Sequence, residues 1–241
     1  MMNPKVTLAR QQLRTPRAAA VAGILFAVLF VISMALIRLV LPEDLSGPDA
    51  EAWLQAHTGL VSLALTLVPF AGIAFLWFEG VVRAHLGKLE DQFFSSVLFG
   101  SGLLFLTMTF TAAAIAGGIV ASYAIAANQL LDSGVVTFGR AVMYTIMNVY
   151  AIRMAGVFMI SLGTIWIQTR VVPRPFVFLT YALALVLLVT ISFSLWMIFI
   201  FPAWVFVISV FILRVSMRGK STEAEGFIGS GDASGDASGD A

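Results

Sequence analysis

Long apolar runs, separated by short polar segments, dominate the chain. A helix needs about 20 mostly apolar residues to cross about 30 Å of hydrocarbon. The runs that reach this length cover residues 18–40, 58–78, 94–122, 141–167 and 176–213. The last run has no charged residue and is nearly long enough for two crossings, so it predicts two helices with a turn near 192–196. The pattern predicts an all-α, polytopic transmembrane helical bundle with six crossings.

The positions of Lys and Arg predict the orientation of these crossings. Basic residues collect in cytoplasmic segments near the ends of transmembrane helices. With a cytoplasmic N-terminus, most of the 14 basic residues lie on the cytoplasmic side, whereas the first outer loop is acidic. The cytoplasmic set is Lys5, Arg10, Arg14, Arg17, Arg83, Lys88, Arg170, Arg174, Arg214, Arg218 and Lys220. We therefore expect a plasma-membrane protein with both termini in the cytoplasm.

The six crossings leave no stretch long enough for a soluble domain. We divide the chain into a basic cytoplasmic N-terminal segment (1–17), a six-helix transmembrane domain (18–214) and a tail (215–241). The tail carries Gly-Asp-Ala-Ser repeats without an apolar period, and we expect it to be disordered. In the longest loop, we expect residues 42–56 to cover the outer face of the bundle, and the alternative is a short surface helix that begins near Pro48 or Asp49.

Composition narrows the chemistry that the chain can perform. The 241 residues are 60% hydrophobic and 11% charged, with a net charge of +1 and no cysteine. The two histidines, His57 and His85, fall at opposite faces of the predicted bundle and cannot share a metal ion or a haem. No Asp or Glu falls in the middle of a predicted crossing. These absences favour a protein without catalytic residues, metal, cofactor or nucleic-acid partner.

Arg153 is the one charged residue that falls deep inside a predicted crossing. Two interpretations stay open. The side chain can extend to the outer interface past Tyr150, or it can face the bundle and bind a lipid phosphate, an anionic solute or backbone carbonyls. Together with Asn148 and Tyr150, Arg153 forms the predicted ligand- or lipid-binding site.

Glu79, Arg83 and His85 follow the second predicted crossing. Glu79 and Arg83 have the i,i+4 spacing that brings two side chains to one helix face, provided that the helix continues past Gly80. They can form an interfacial ion pair. Alternatively, with His85, they belong to a loop that forms the cytoplasmic mouth of the bundle or binds a partner.

The third predicted crossing carries small and hydroxyl residues at helical period. Such a face allows close approach of another helix, and hydroxyl groups can also line a permeation path. The stripe consists of Ser96, Gly100, Thr107, Thr111, Gly118 and Ser122, together with Ala114. It predicts either a helix-packing face or a path lining.

Residues 69–106 read PFAGIAFLWFEGVVRAHLGKLEDQFFSSVLFGSGLLFL. They resemble a family of six-helix integral membrane proteins common in actinobacteria, in which a PFAGIAFLWF-type second helix leads through a basic-acidic loop to an FFxxVxxGSGLLF-type third helix. The resemblance implies the six-helix topology and a bacterial plasma membrane. That family has no assigned function, so the resemblance adds no chemistry.

The sequence as a whole predicts a multi-pass transport or permeation component without catalytic activity. We expect membrane lipids as partners, together with further copies of the chain or another membrane protein. The alternative is a structural or accessory subunit, with a capacity to bind lipid, in a larger membrane complex.

Overall fold

The computed structural model describes residues 4–40, 49–86, 92–132, 134–169, 172–189 and 197–232. In these ranges all regular structure is helical, which confirms the all-α prediction. The helices are α1 (Pro4–Val40), α2 (Asp49–Leu86), α3 (Gln92–Asp132), α4 (Val135–Thr145), a π-helical turn (Ile146–Ala151), α5 (Ile152–Thr169), α6 (Arg174–Val189) and α7 (Met197–Asp232). The segment from α4 through the π-helical turn to α5 has no break in its helical structure.

Five helical segments in the described ranges are long and apolar enough to cross a membrane. They are Arg17–Ile37, Gly59–Ala84, Phe93–Ser122, Val135–Thr169 and Met197–Met217. The first four correspond to the first four predicted crossings. The charge-free run divides into α6 and α7, and the predicted turn at 192–196 lies outside the described residues. With 16 residues, or about 24 Å, α6 is shorter than a full crossing.

Three helices extend beyond the predicted runs. α1 begins at Pro4, and proline suits the first position of a helix because its missing N–H has no partner there anyway. From Asp49 the chain is helical and not a covering loop, and this helix is the first part of α2, which continues without interruption into the second crossing. α7 continues to Asp232, where the sequence predicts disorder from residue 215, and residues 233–241 lie outside the described ranges.

The long helices pack against one another in the bundle. α1 packs against α2 and α7, α3 packs against α2 and α5, and α5 packs against α6. Six phenylalanines on five of these helices meet at the centre, with ring centroids 4.8–6.4 Å apart in tilted and edge-on pairs. This aromatic core consists of Phe26, Phe30, Phe75, Phe105, Phe158 and Phe201. Such pairs contribute about 0.5–1.5 kcal/mol each beyond their buried area.

The start of the α1 span lies beside the end of the α7 span. Arg17 donates from Nε to the Ser216 hydroxyl at 3.1 Å and from Nη2 to the Ser216 carbonyl at 3.0 Å. About 9 Å further along α1, Gly23 lies against Ser209 of α7 and Phe78 of α2. A Cβ at Gly23 would overlap the Ser209 hydroxyl, so glycine permits this contact. The three helices are therefore aligned in depth.

This alignment defines one end of the bundle, which we call the basic end. Arg17, Arg83 and Arg214 all lie near it, because Arg83 follows Phe78 along α2 and Arg214 follows Ser209 along α7. Arg174 joins them at the start of α6, where the Phe176 ring stacks on Phe211 of α7 with centroids 6.1 Å apart.

Candidate functional site

Glu79 is the clearest functional candidate among the described residues. It lies in α2 within the span Gly59–Ala84, and its side chain is 0% exposed. Glu79 and Arg83 both lie on α2, which continues past Gly80 to Leu86. This continuation is the condition for placing the two side chains on one helix face, whereas the alternative of a cytoplasmic loop does not describe them. Apolar residues follow Gly80, and a single glycine does not end a helix. The side chain of His85 lies outside the described residues.

The Glu79 carboxyl group packs directly on Gly102 of α3. A Cβ at position 102 would overlap the carboxyl oxygens and lie 2.6 Å from the carboxyl carbon. Neither carboxyl oxygen has a hydrogen-bond partner. Gly102 therefore gives the carboxyl group the space that it occupies between α2 and α3.

Arg83 has the spacing to neutralise Glu79 but makes other contacts. Its Nε donates to the Ser95 hydroxyl of α3 at 3.3 Å, and its Cζ lies 4.8 Å from the centre of the Phe99 ring. The interfacial hydrogen-bonded ion pair considered in the sequence analysis is therefore not formed. We call Glu79, Arg83, Ser95, Phe99 and Gly102 the Glu79 site.

The energetic cost of this arrangement depends on whether Glu79 carries a charge. An ionised carboxylate that is removed from water costs several kcal/mol, even after relaxation, unless an opposite charge or hydrogen bonds compensate for it. In a transmembrane segment, buried ionisable residues are rare and mark ion pathways, proton relays or ligand sites. The Glu79 site therefore has the properties of a functional site in a membrane protein.

Asn148 is a second buried polar residue with an unpartnered oxygen. It lies in the π-helical turn, is 8% exposed, and its Oδ1 has no hydrogen-bond partner. It lines a cavity of about 30 Å³, which we call the Asn148 cavity. The other lining residues are Met34, Ile37, Ala112, Ala113, Ala116, Met143, Tyr144, Met147 and Ile198. A water molecule needs about 10–15 Å³ of such space, so the cavity has room for one.

The predicted site of Arg153, Asn148 and Tyr150 is not assembled around this cavity. Arg153 and Tyr150 are not among its lining residues. Arg153 is half-buried and donates from Nη1 to the carbonyl of Val149, one turn earlier, at 2.8 Å. Tyr150 is 54% exposed. Arg153 thus binds a backbone carbonyl of its own helix, a contact compatible with both interpretations of its side chain, while Asn148 borders a separate space.

The predicted stripe on α3 faces away from the other helices. Ser96, Thr107, Thr111, Gly118 and Ser122 are exposed, and Gly100 is half-exposed. A Cβ at Gly100 or Gly118 would meet nothing within 4 Å, and Thr107 and Thr111 donate to carbonyls of their own helix at 2.8 Å. Packing inside the bundle uses the opposite face, with Leu98, Gly102, Phe105, Thr109 and Ala112. The stripe is therefore an outer surface of the single chain.

Within the described residues, no group of three His, Asp or Glu side chains is arranged to hold a metal ion.

Sequence reasoning missed Gly102 and the buried Ser209, whose hydroxyl has no partner. The burial of Glu79 had a signal in the sequence. Val68, Ala71, Phe75 and Val82 form a helical stripe of apolar residues, and Glu79 falls on that stripe one turn after Phe75.

Comparison with known proteins adds no assignment, since no family model, curated protein or solved structure matches the chain. The resemblance of residues 69–106 to an actinobacterial membrane family stays a prediction. Functional inference therefore depends on the chain's own geometry.

Proposed function

We propose that this chain is a multi-pass plasma-membrane protein that acts as a transport or permeation component and has no catalytic activity. The observation that carries this proposal is the fully buried, unpartnered carboxyl group of Glu79 within a membrane-spanning helix. A buried ionisable group in a membrane-spanning helix favours a functional role over a purely anchoring one. A transport protein uses such a group to couple solute movement to a change of state.

The aromatic core favours gated movement over a permanently open pore. Its rings come from α1, α2, α3, α5 and α7 and fill the centre of the bundle beside the Glu79 site. A solute that crosses through one chain must therefore wait for these helices to rearrange. Alternating exposure of a central site is a common mechanism in transporters with several membrane helices.

The proposed topology has six crossings and two cytoplasmic termini. Five apolar helices, the shorter α6 and the four arginines of the basic end support it, because basic residues favour the cytoplasmic side. The chain has no cysteine, so a single cysteine introduced at Thr7, Ser46 or Ser238 would be the only thiol that can react. A membrane-impermeant maleimide should label Ser46→Cys from outside, and Thr7→Cys and Ser238→Cys only from the cytoplasm. Labelling of the two terminal positions from opposite sides would overturn this topology.

Solute transport can be tested with purified protein in liposomes on a solid-supported membrane. Concentration jumps of sodium, potassium, ammonium, amino acids, organic cations and organic anions would be applied in turn. We expect protein-dependent currents for one of these classes, and at least a tenfold smaller current for Glu79→Gln. Glu43→Gln, which removes an acid from the first loop, is the matched control and should keep the full current. The absence of a protein-dependent current for every class would overturn the proposal.

A specific observation favours a second candidate, an accessory subunit that binds another membrane helix. The small and hydroxyl residues of the α3 stripe face outward, where close helix packing with another chain is possible. Gly118→Leu would fill this face without touching the bundle, whereas Gly80→Leu would add the same side chain to open space on α2. Under the accessory role, a partner that copurifies in mild detergent should be lost with Gly118→Leu and kept with Gly80→Leu. Copurification that survives both changes would remove this candidate.

A further inference from the structure

We propose that Glu79 is a proton-exchange site, in which Glu79 holds a proton in the described arrangement and Arg83 becomes its partner when the proton leaves. This inference rests on the proposed transport function and names the proton as the coupling ion. The contacts between α2 and α3 around the Glu79 carboxyl group support it.

The space around Glu79 fits a proton and excludes a metal ion. Gly102 lies so close to the carboxyl group that not even a methyl group fits between them. A metal ion also needs several oxygen, nitrogen or sulfur ligands, and no group of three His, Asp or Glu side chains is arranged to hold one in the described part of the bundle. A proton needs no additional space and removes the charge that makes burial costly.

The charged groups near Glu79 are few. In the described part of α3 that packs on α2, residues 93–122, no side chain is charged. On α1, Arg17 is occupied by Ser216 at the basic end. Arg83, one turn from Glu79 on the same helix, is the described cation with the spacing to reach the carboxyl group.

Arg83 is held in a way that permits exchange. Its hydrogen bond to Ser95 is long, at 3.3 Å, and its second contact is the face of Phe99. Both contacts are weaker than a charge-assisted hydrogen bond to a carboxylate. Loss of the proton would therefore shift the guanidinium from Ser95 and Phe99 to Glu79.

The exchange step removes one proton from Glu79 and gives the carboxylate one hydrogen bond from Arg83. The O–H bond of the Glu79 carboxylic acid breaks, and the proton passes to water at the basic end. The new carboxylate accepts an N–H hydrogen bond from Arg83, which keeps its own protons and its positive charge. Rebinding of a proton releases Arg83 to Ser95. Since Ser95 and Gly102 both belong to α3, each exchange changes the contacts between α2 and α3.

Infrared difference spectroscopy can observe this step on the full chain in lipid nanodiscs, with acid and alkaline buffers. We expect a carboxylic C=O band in acid that is replaced by carboxylate bands in alkaline buffer. The band should be absent in Glu79→Gln and present in the control Glu43→Gln. Arg83→Leu should move the loss of the band to more alkaline buffer, whereas Arg83→Lys should restore most of the native behaviour.

Several results would overturn the inference. A spectrum without any band that depends on Glu79, or carboxylate bands of Glu79 even in acid, would exclude the proton site. An unchanged titration in Arg83→Leu would exclude Arg83 as the partner.

The same variants separate this inference from the proposed function. A titrating Glu79 band in a protein that gives no solute current would leave the proton site and remove transport. Solute currents that are unchanged in Glu79→Gln would leave transport and remove Glu79 from it.

Discussion

Glu79 and Asn148 are both buried in the apolar bundle with unpartnered oxygens, but the space around them differs. The Glu79 carboxyl group is closed by the backbone of Gly102, whereas Asn148 borders a cavity of about 30 Å³. A neutral amide beside such a cavity can be satisfied by one water molecule. A carboxyl group without that space must change its own charge or exchange its neighbours. The two sites therefore differ in the free space beside the polar group, and not in the burial of that group or its lack of hydrogen-bond partners.

The difference between the two sites is tested most strongly by filling the space beside the Glu79 carboxyl group. Gly102→Ala should lower the free energy of unfolding by about 1–3 kcal/mol, because the new methyl group overlaps the carboxyl group. Gly100→Ala, on the outer face of α3, is the control and should be neutral or stabilising by up to about 1 kcal/mol. Unfolding in a series of detergent mixtures provides the measurement.

A double mutant shows whether the carboxyl group is the cause of this loss. Glu79→Ala combined with Gly102→Ala should recover most of the stability lost in Gly102→Ala, since residues in contact have coupling energies of about 0.5–3 kcal/mol. If the two changes are simply additive, the close contact between α2 and α3 does not exist as described.

The second change removes the buried carboxyl group and keeps its approximate volume. Glu79→Met should raise the free energy of unfolding by about 1–2 kcal/mol, because replacing a buried polar group by an apolar one removes its desolvation cost. Solute currents should be lost at the same time. An unchanged free energy of unfolding would mean that the buried carboxyl group has no energetic cost, and full transport in this variant would mean that Glu79 has no part in transport.

The smallest effect is expected at the Asn148 cavity. Asn148→Leu should change the free energy of unfolding by less than about 1 kcal/mol, because the lost contact with water is offset by the apolar surroundings. Detergent unfolding beside Glu79→Met would measure the difference. If Asn148→Leu stabilises as much as Glu79→Met, the cavity is dry and the two sites are equivalent.

Much of the fold could be predicted from the sequence, because the bilayer sets the length of each apolar run. The third crossing was predicted at 94–122, and the corresponding span is Phe93–Ser122. The sequence predicts that the second crossing ends at Phe78, whereas the apolar span continues past Glu79 to Ala84. Glu79 lies inside α2, with helical residues before and after it, and its contacts with α3 determine its burial.

The candidate site was harder to predict, since it depends on which faces of two helices meet. Both faces of α3 carry small residues, and the sequence analysis selected the face with Gly100 and Gly118. The contact with α2 uses the other face, because Gly102 and Phe105 lie there with the residues that complement Phe75 and Glu79. Helical period identifies a face, but only the neighbouring helix determines whether that face is inside.

The hydrogen bonds between Arg17 and Ser216 join residues that are 199 positions apart in the chain. During synthesis, α1 is made long before α7 exists, so the surface of α1 that contacts α7 cannot be covered by α7 until the end of the described chain has been made. The contact of Gly23 with Ser209 and the hydrogen bonds of Arg17 with Ser216 form only when α7 has been made. Truncation before α7 would therefore remove contacts from α1, at the opposite end of the sequence from the missing part.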